Sequence, residues 1–225
     1  MLTPLHVEAK KIKREKVEAQ GDIVWEVPTS HKVMALTFDD GPNPIFTPEI
    51  LDILKQYHVQ ATFFVVGNRM QENPAIMQRI VAEGHEIGNH TMTHRYSNKA
   101  SIEQMKQEII ETERYIDKWQ PNTPRFFRPP GGYMSEELLT LTKEEGYKTI
   151  LWSWHQDTRD WSSPGVYAIA NHVLKHARNG DIVLMHDGIY NKSQTIRALK
   201  IILPALLQKG YDFVTVSELL AYKKE

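Results

Sequence analysis

The chain has 225 residues, a formal net charge of -1 and no cysteine. That length suits a single α/β domain with a full core, and the balanced charge argues against a nucleic-acid partner. Without thiols there are no disulfides, cysteine metal sites or cysteine nucleophiles, so any metal falls to His, Asp and Glu.

Residues 1–20 read as a charged N-terminal stem. Within it, residues 9–20 (AKKIKREKVEAQ) carry few apolar anchors and suit a solvated helix better than a lipid-surface patch. No signal-peptide pattern opens the chain, and no run approaches the roughly 18 apolar residues of a membrane span. One ordered domain is expected over 21–225. Short apolar runs predict strands at Val33–Phe38, Ala61–Val66, Glu86–Gly88, Phe126–Arg128, Thr149–Trp154, Asp181–Met185 and Asp212–Val216. Helical periods fall between them at 47–57, 72–83, 101–118, 135–145, 164–177, 194–208 and 217–223. Thr47-Pro48-Glu49 looks like a helix start, Ser101 and Gln104 have capping-box spacing, and Ser193 is a candidate cap. This alternation predicts a parallel sheet, either open or closed into a barrel, with its site at the C-terminal strand ends.

Five polar clusters sit at or just after strand candidates. In Thr37-Phe38-Asp39-Asp40-Gly41-Pro42, two adjacent carboxylates end an apolar strand; one can bind a metal while the other activates water. Standing alone, the same residues make an ordinary turn. In His90-Thr91-Met92-Thr93-His94, a spacing of four puts both imidazoles on one face if the segment is helical. No Glu follows the first His, so this is not the zinc-protease helix, and any base must come from elsewhere. His172 and His176 share the spacing but fall inside an amphipathic helix pattern and read as structural.

Arg128-Pro129-Pro130-Gly131-Gly132 offers a guanidinium that can orient a carboxylate and a backbone N–H that can face an oxyanion. Trp154-His155-Gln156-Asp157-Thr158-Arg159-Asp160-Trp161 brackets acids with aromatic faces suited to sugars and small acyl groups. Leu184-Met185-His186-Asp187-Gly188 places a candidate general acid at a strand end.

Taken in order, these five motifs resemble those of the polysaccharide deacetylase family, the NodB-like carbohydrate esterases of family 4, from about Val33 to Tyr222. The resemblance implies a distorted, incomplete (β/α) barrel of about seven strands. It implies Asp40, His90 and His94 as metal ligands and Asp39 as the catalytic base. Arg128 would orient Asp39, and Asp160 would partner His186, the general acid. Gly131 would supply the oxyanion donor; Trp154 and Leu184 would wall the acetyl pocket, with Trp161 behind. Zinc is the implied ion, and an Asp-His-His set also accepts cobalt, nickel, manganese or iron. The family often carries an aromatic residue where this chain has Gly131, so one aromatic contact is expected to be missing.

The implied reaction removes N-acetyl groups from an N-acetylglucosamine polymer, peptidoglycan or chitin-like, which places the protein outside the cell or at its wall. An esterase acting on O-acetylated xylan would use the same parts but lean less on His186. A carbohydrate-binding protein without catalysis would lack the base or a ligand, and all are here. A purely structural metal site would need a fourth protein ligand; His155 is a candidate but reads as a loop histidine.

Overall fold

The computed structural model describes residues 21–188 and 193–223; the expected stem at 1–20 lies outside them. Eight strands form one parallel sheet: β1 (Ile23–Val24), β2 (Val33–Asp39), β3 (Thr62–Val65), β4 (Glu86–Asn89), β5 (Phe126–Phe127), β6 (Lys148–Ile150), β7 (Asp181–His186) and β8 (Asp212–Phe213). Around them lie α1 (Phe46–Gln56), α2 (Gly67–Glu72), α3 (Pro74–Ala82), α4 (Ile102–Trp119), α5 (Glu136–Glu144), α6 (Val166–His176), α7 (Ser193–Gln208) and α8 (Val216–Ala221). The order is β1-β6-β5-β4-β3-β2-β7, with β8 against the start of β2. The seam between the edges β1 and β7 is crossed by the single bridges Glu26–Asp181 and Asp157–Leu184 and by isolated bonds, among them Ser153 N to Ile182 O at 3.0 Å and Val27 N to Gly180 O at 2.9 Å. The sheet is therefore an incomplete, distorted (β/α) barrel.

β2 explains how the barrel is filled. All seven of its residues are buried, as suits a parallel strand covered on both faces. Alternation sends Met34, Leu36 and Phe38 into the outer core and Val33 and Ala35 into an inner cluster with Phe64, Phe126, Ile150 and Ile182. The same period turns Thr37 and Asp39 inward at the strand's C-terminal end. The opposite mouth is plugged by α8, whose Val216 and Leu219 join the inner cluster. Its Thr215–Glu218 capping box and a 2.9 Å bond from Val216 N to Thr62 Oγ1 fix it beneath the start of β3.

Seven strands fall on the predicted segments. β1 is the addition, because two residues carry no readable period. The expected helix at 72–83 is α3, which Pro74, having no N–H to donate, opens; α2 is an addition before it. The strand expected over Thr149–Trp154 stops at Ile150, and that over Asp212–Val216 stops at Phe213, where Thr215 begins the cap of α8. Thr47 is not the cap of α1. Asn43 Oδ1 accepts from Ile45 N and Phe46 N at 2.9 and 3.1 Å, and the buried Thr47 hydroxyl donates to Asp187 at 2.5 Å. The Ser101–Gln104 capping box is present. The residues just before Ser193 lie outside the described ones, and α7 begins at Ser193 itself.

Candidate active site

Asp39 ends β2 on its inner face, and in a continuing strand Asp40 would point the other way. It does not, because its φ is +76°. This left-handed conformation, which Asp tolerates better than most residues, turns both carboxylates into one cleft. The Arg69 guanidinium donates to the Asp40 carbonyl oxygen, and the Gly41–Pro42 peptide that follows is cis.

The two histidines arrive on a loop, so the condition of a helical segment is not met. Residues 90–96 contain no helix; β4 ends at Asn89, and the loop turns through Thr91 and His94 at φ +69° and +58°. Asn89 Oδ1 accepts from Thr91 N, and Thr91 Oγ1 accepts from Arg95 N, both at 3.0 Å. The imidazoles thus converge by loop geometry rather than by helical spacing. Nε2 of His94 lies 2.9 Å and Nε2 of His90 3.4 Å from Asp40 Oδ1. Burial would raise the Asp40 carboxyl; hydrogen bonds from His90 and His94 override it and hold the group well below the usual carboxylate range.

Arg128 is fully buried yet well supplied with acceptors. Nη1 donates to Asp39 Oδ1 at 2.7 Å and Thr37 Oγ1 at 2.8 Å; Nε and Nη2 donate to Ile150 O and Leu151 O at 3.0 and 2.9 Å. Its guanidinium carbon lies 3.9 Å from the centre of the Phe64 ring. A fixed fork of this kind holds a carboxylate in one orientation.

His186 ends β7 beside Asp39. Its Nδ1 donates to Asp160 Oδ1 at 2.7 Å, and Asp160 Oδ2 accepts from His186 N and the Thr195 hydroxyl at 3.0 and 2.6 Å. Burial works against the imidazolium, but the Asp160 carboxylate outweighs it, helped by Asp40 and Asp39, and raises the pKa to about 9. The neighbouring Asp187 is fully buried, and burial pushes its carboxyl up to about 7.

An open cleft of about 610 Å³ joins these groups. Its lining contains Asp39, Asp40, His90, His94, Gly131, Trp161, Leu184 and His186 from the sequence-predicted set. Trp154 is not part of it. The chain leaves β6 at Ile150, and Trp154 opens a short 3-10 turn (Trp154–Gln156) with 66 % of its surface exposed; Trp152 lines the cleft instead. His155 is no fourth ligand there, since its Nε2 is 2.8 Å from Asp181 Oδ1 at the start of β7. Sequence reasoning also missed Tyr96, Tyr133 and Asp157 in the lining. Each tyrosine stands two residues after a predicted site residue, His94 and Gly131, which was the available signal. They also supply aromatic surface beside Gly131: a Cβ there would meet the Tyr133 and Tyr96 rings at 2.8 and 2.9 Å.

The donors fit a divalent cation. Two imidazole nitrogens and a carboxylate oxygen lie within 4.8 Å of one another at the cleft. The remaining ring nitrogen of His90 donates to a backbone carbonyl, the second anchor common to metal-binding histidines. Three protein ligands at an open cleft leave room for water and substrate.

The family model described as polysaccharide deacetylase matches residues 26–150. A peptidoglycan-N-acetylglucosamine deacetylase of Bacillus cereus is 52 % identical over 210 residues, covering 93 % of this chain and 98 % of that protein. The crystal structure of a peptidoglycan N-acetylglucosamine deacetylase bound to 4-naphthalen-1-yl-N-hydroxybenzamide superposes with a TM-score of 0.88 at 34 % identity, covering 95 % of this chain and all of the other. A family 4 acetyl xylan esterase from Clostridium thermocellum, solved with cobalt, gives a TM-score of 0.77 at 38 % identity over 84 % of this chain and 91 % of its own. With the barrel, the cleft and these likenesses in agreement, the chain belongs to the polysaccharide deacetylase family.

Proposed function

We propose that this protein is a metal-dependent hydrolase that removes N-acetyl groups from N-acetylglucosamine units of peptidoglycan or a chitin-like oligomer, releasing acetate. One observation carries the reading: a single cleft combines a three-residue metal donor set, a carboxylate held by a buried arginine, and a histidine held by a buried aspartate. Deacetylases of this family are metal-dependent, and Asp40, His90 and His94 form the matching donor group. Zinc is the proposed ion.

Asp40, His90 and His94 would hold a divalent ion, which would supply Lewis acidity toward the acetyl carbonyl and acidify water. Arg128 keeps one Asp39 oxygen occupied, and Asp39 takes a proton from the attacking water with its carboxylate. The Gly131 N–H donates to the developing oxyanion. His186, with Nδ1 committed to Asp160, delivers a proton from Nε2 to the departing amine. Leu184 and Trp152 line the space for the acetyl methyl, and Tyr96, Tyr133 and Trp161 offer faces for the sugar rings. A protein with this substrate acts outside the cell or at its wall.

The second reading, an acetyl xylan esterase, has a specific basis in the cobalt-bound xylan esterase likeness. Raising the His186 pKa to about 9 favours the amide, because an amine leaves poorly without a proton while an alkoxide needs less help. The test is acetate release from N-acetylglucosamine oligomers and from acetylated xylan, before and after chelation and after zinc is returned. Chelator-sensitive, zinc-restored release from the oligomers supports the amidase. Release from xylan alone replaces it with the esterase.

A further inference from the structure

We propose that Glu26, His155 and Asp181 form a second divalent-cation site, at the opposite end of β7 from His186, that staples the open seam of the barrel. One ligand atom from each lies within 4.8 Å of the others. Asp181 opens β7 and His186 ends it, so the two sites are about 16 Å apart along the strand.

The arrangement repeats that of the first site. Nε2 of His155 stands 2.8 Å from Asp181 Oδ1, as Nε2 of His94 stands 2.9 Å from Asp40 Oδ1. Here two carboxylates and one imidazole each offer a ligand atom. A proton on the imidazole nitrogen is shared with one carboxylate at a time, whereas a cation is shared by all three groups.

A second observation points to the same place. Among the described residues, four buried side-chain polar atoms have no hydrogen-bond partner, and two of them belong to this neighbourhood. Gln156 is completely buried; its Nε2 donates to Asp181 Oδ2 at 2.7 Å, leaving Oε1 of the same amide head without a partner. The other is Nε2 of His172, whose ring lies beside the backbone of His155. A carbonyl oxygen and an imidazole nitrogen are acceptors that a cation, or water bound to one, would satisfy. Mixed nitrogen and oxygen donors select a divalent transition ion such as zinc or manganese.

The location supplies a purpose. Glu26 follows β1, His155 belongs to the turn after β6, and Asp181 begins β7. These are the segments that meet where strand pairing fails to close the barrel. A cation bound by all three would fix the stretch carrying Trp152 and Asp157, which wall the catalytic cleft.

The test is equilibrium dialysis of the tag-free full chain against zinc and, separately, manganese, with ion content read by mass spectrometry. Two ions are expected in the unaltered chain, one in Asp40→Asn, one in Glu26→Gln and none in the double variant. The melting temperature of Asp40→Asn should rise with added ion, and that of the double variant should not. Glu26 is exposed, so its replacement leaves the fold intact. If Asp40→Asn binds neither ion, or if Glu26→Gln binds as many ions as the unaltered chain, the second site does not exist. If Asp40→Asn keeps both ions while Glu26→Gln loses one, this site stands and the first assignment fails.

Discussion

Nδ1 of His90 donates to the carbonyl oxygen of Arg128 at 2.7 Å. The residue that steadies Asp39 through its side chain therefore fixes the tautomer of a metal ligand through its backbone, leaving His90 Nε2 toward Asp40. Base and metal donors are parts of one rigid unit, and perturbing Arg128 should disturb both.

Replacing Arg128 with Met leaves the buried Asp39 carboxylate unpaired and is expected to cost about 3–5 kcal/mol in urea unfolding. Lysine restores the charge but not the fork. Arg128→Lys should lose less stability while kcat for acetate release falls by roughly 100-fold, since small misplacements of a reacting group carry such penalties.

Asp40→Asn keeps the size of the side chain but removes the charge that pairs with His90 and His94. Ion retention at the catalytic cleft should fall by more than the roughly 10–100-fold that losing an outer partner costs. The residual acetate release should no longer respond to chelator.

His186 has its folded pKa raised to about 9 by Asp160 and the nearby carboxylates. A raised histidine contributes stability that is complete below its unfolded pKa, near 6.5, and is lost as pH rises through about 9. An NMR titration of the chelated protein should place the His186 midpoint near 9, and Asp160→Asn should lower it. With a cation beside Asp40, part of that carboxylate pull is cancelled, so the alkaline limb of the activity profile should lie below the chelated midpoint. His186→Ala should reduce amide cleavage far more than ester cleavage; equal losses would remove the general-acid role.

His85 responds in the opposite sense. Burial lowers its pKa to about 4, and its Nδ1 accepts from Ala61 N at 3.2 Å, so the folded state holds it neutral. Its contribution is complete above about 6.5, declines as pH falls below that value and is lost by about 4. His85→Asn, which retains an acceptor, should flatten the dependence of melting temperature on pH across that window.

The aromatic lining separates two tryptophans that the sequence treats alike. Trp161→Ala should raise KM for oligomers by about 2–10-fold, the scale of one aromatic contact of 0.5–1.5 kcal/mol. Trp154→Ala should leave KM and kcat unchanged, because Trp154 stands outside the cleft lining.

The parts of the site that sit on strands were legible. An apolar run ending in Asp39 fixes the face of that carboxylate by its period of two, and the same rule places His186 at the end of β7. The parts that depend on isolated backbone turns were not. Asp40, Thr91 and His94 each take a positive φ, and no local pattern announces it; the four-residue spacing of His90 and His94 aligns the rings only in a helix, whereas a loop brings them together. Trp152 and Trp154 were interchanged because nothing in Thr149–Trp154 marks the end of β6 at Ile150. The partly closed seam was unreadable for a related reason: β1 has two residues, and the single bridges to β7 come from Glu26 and Asp157, outside it.

The burial of Arg128 bears on how such an enzyme could lose its activity over evolutionary time. Its guanidinium satisfies four acceptors from β2, β6 and the loop after β6, so a lineage released from selection for catalysis still needs it to fold. His94, with 16 % of its side chain exposed, carries no comparable debt to the core. Decay should therefore begin at the cleft and spare the arginine beneath it. Descendants that keep Arg128 but have lost His94 would be intact scaffolds, one or two reversions from working again. Those that have lost Arg128 would have had to repack the barrel first.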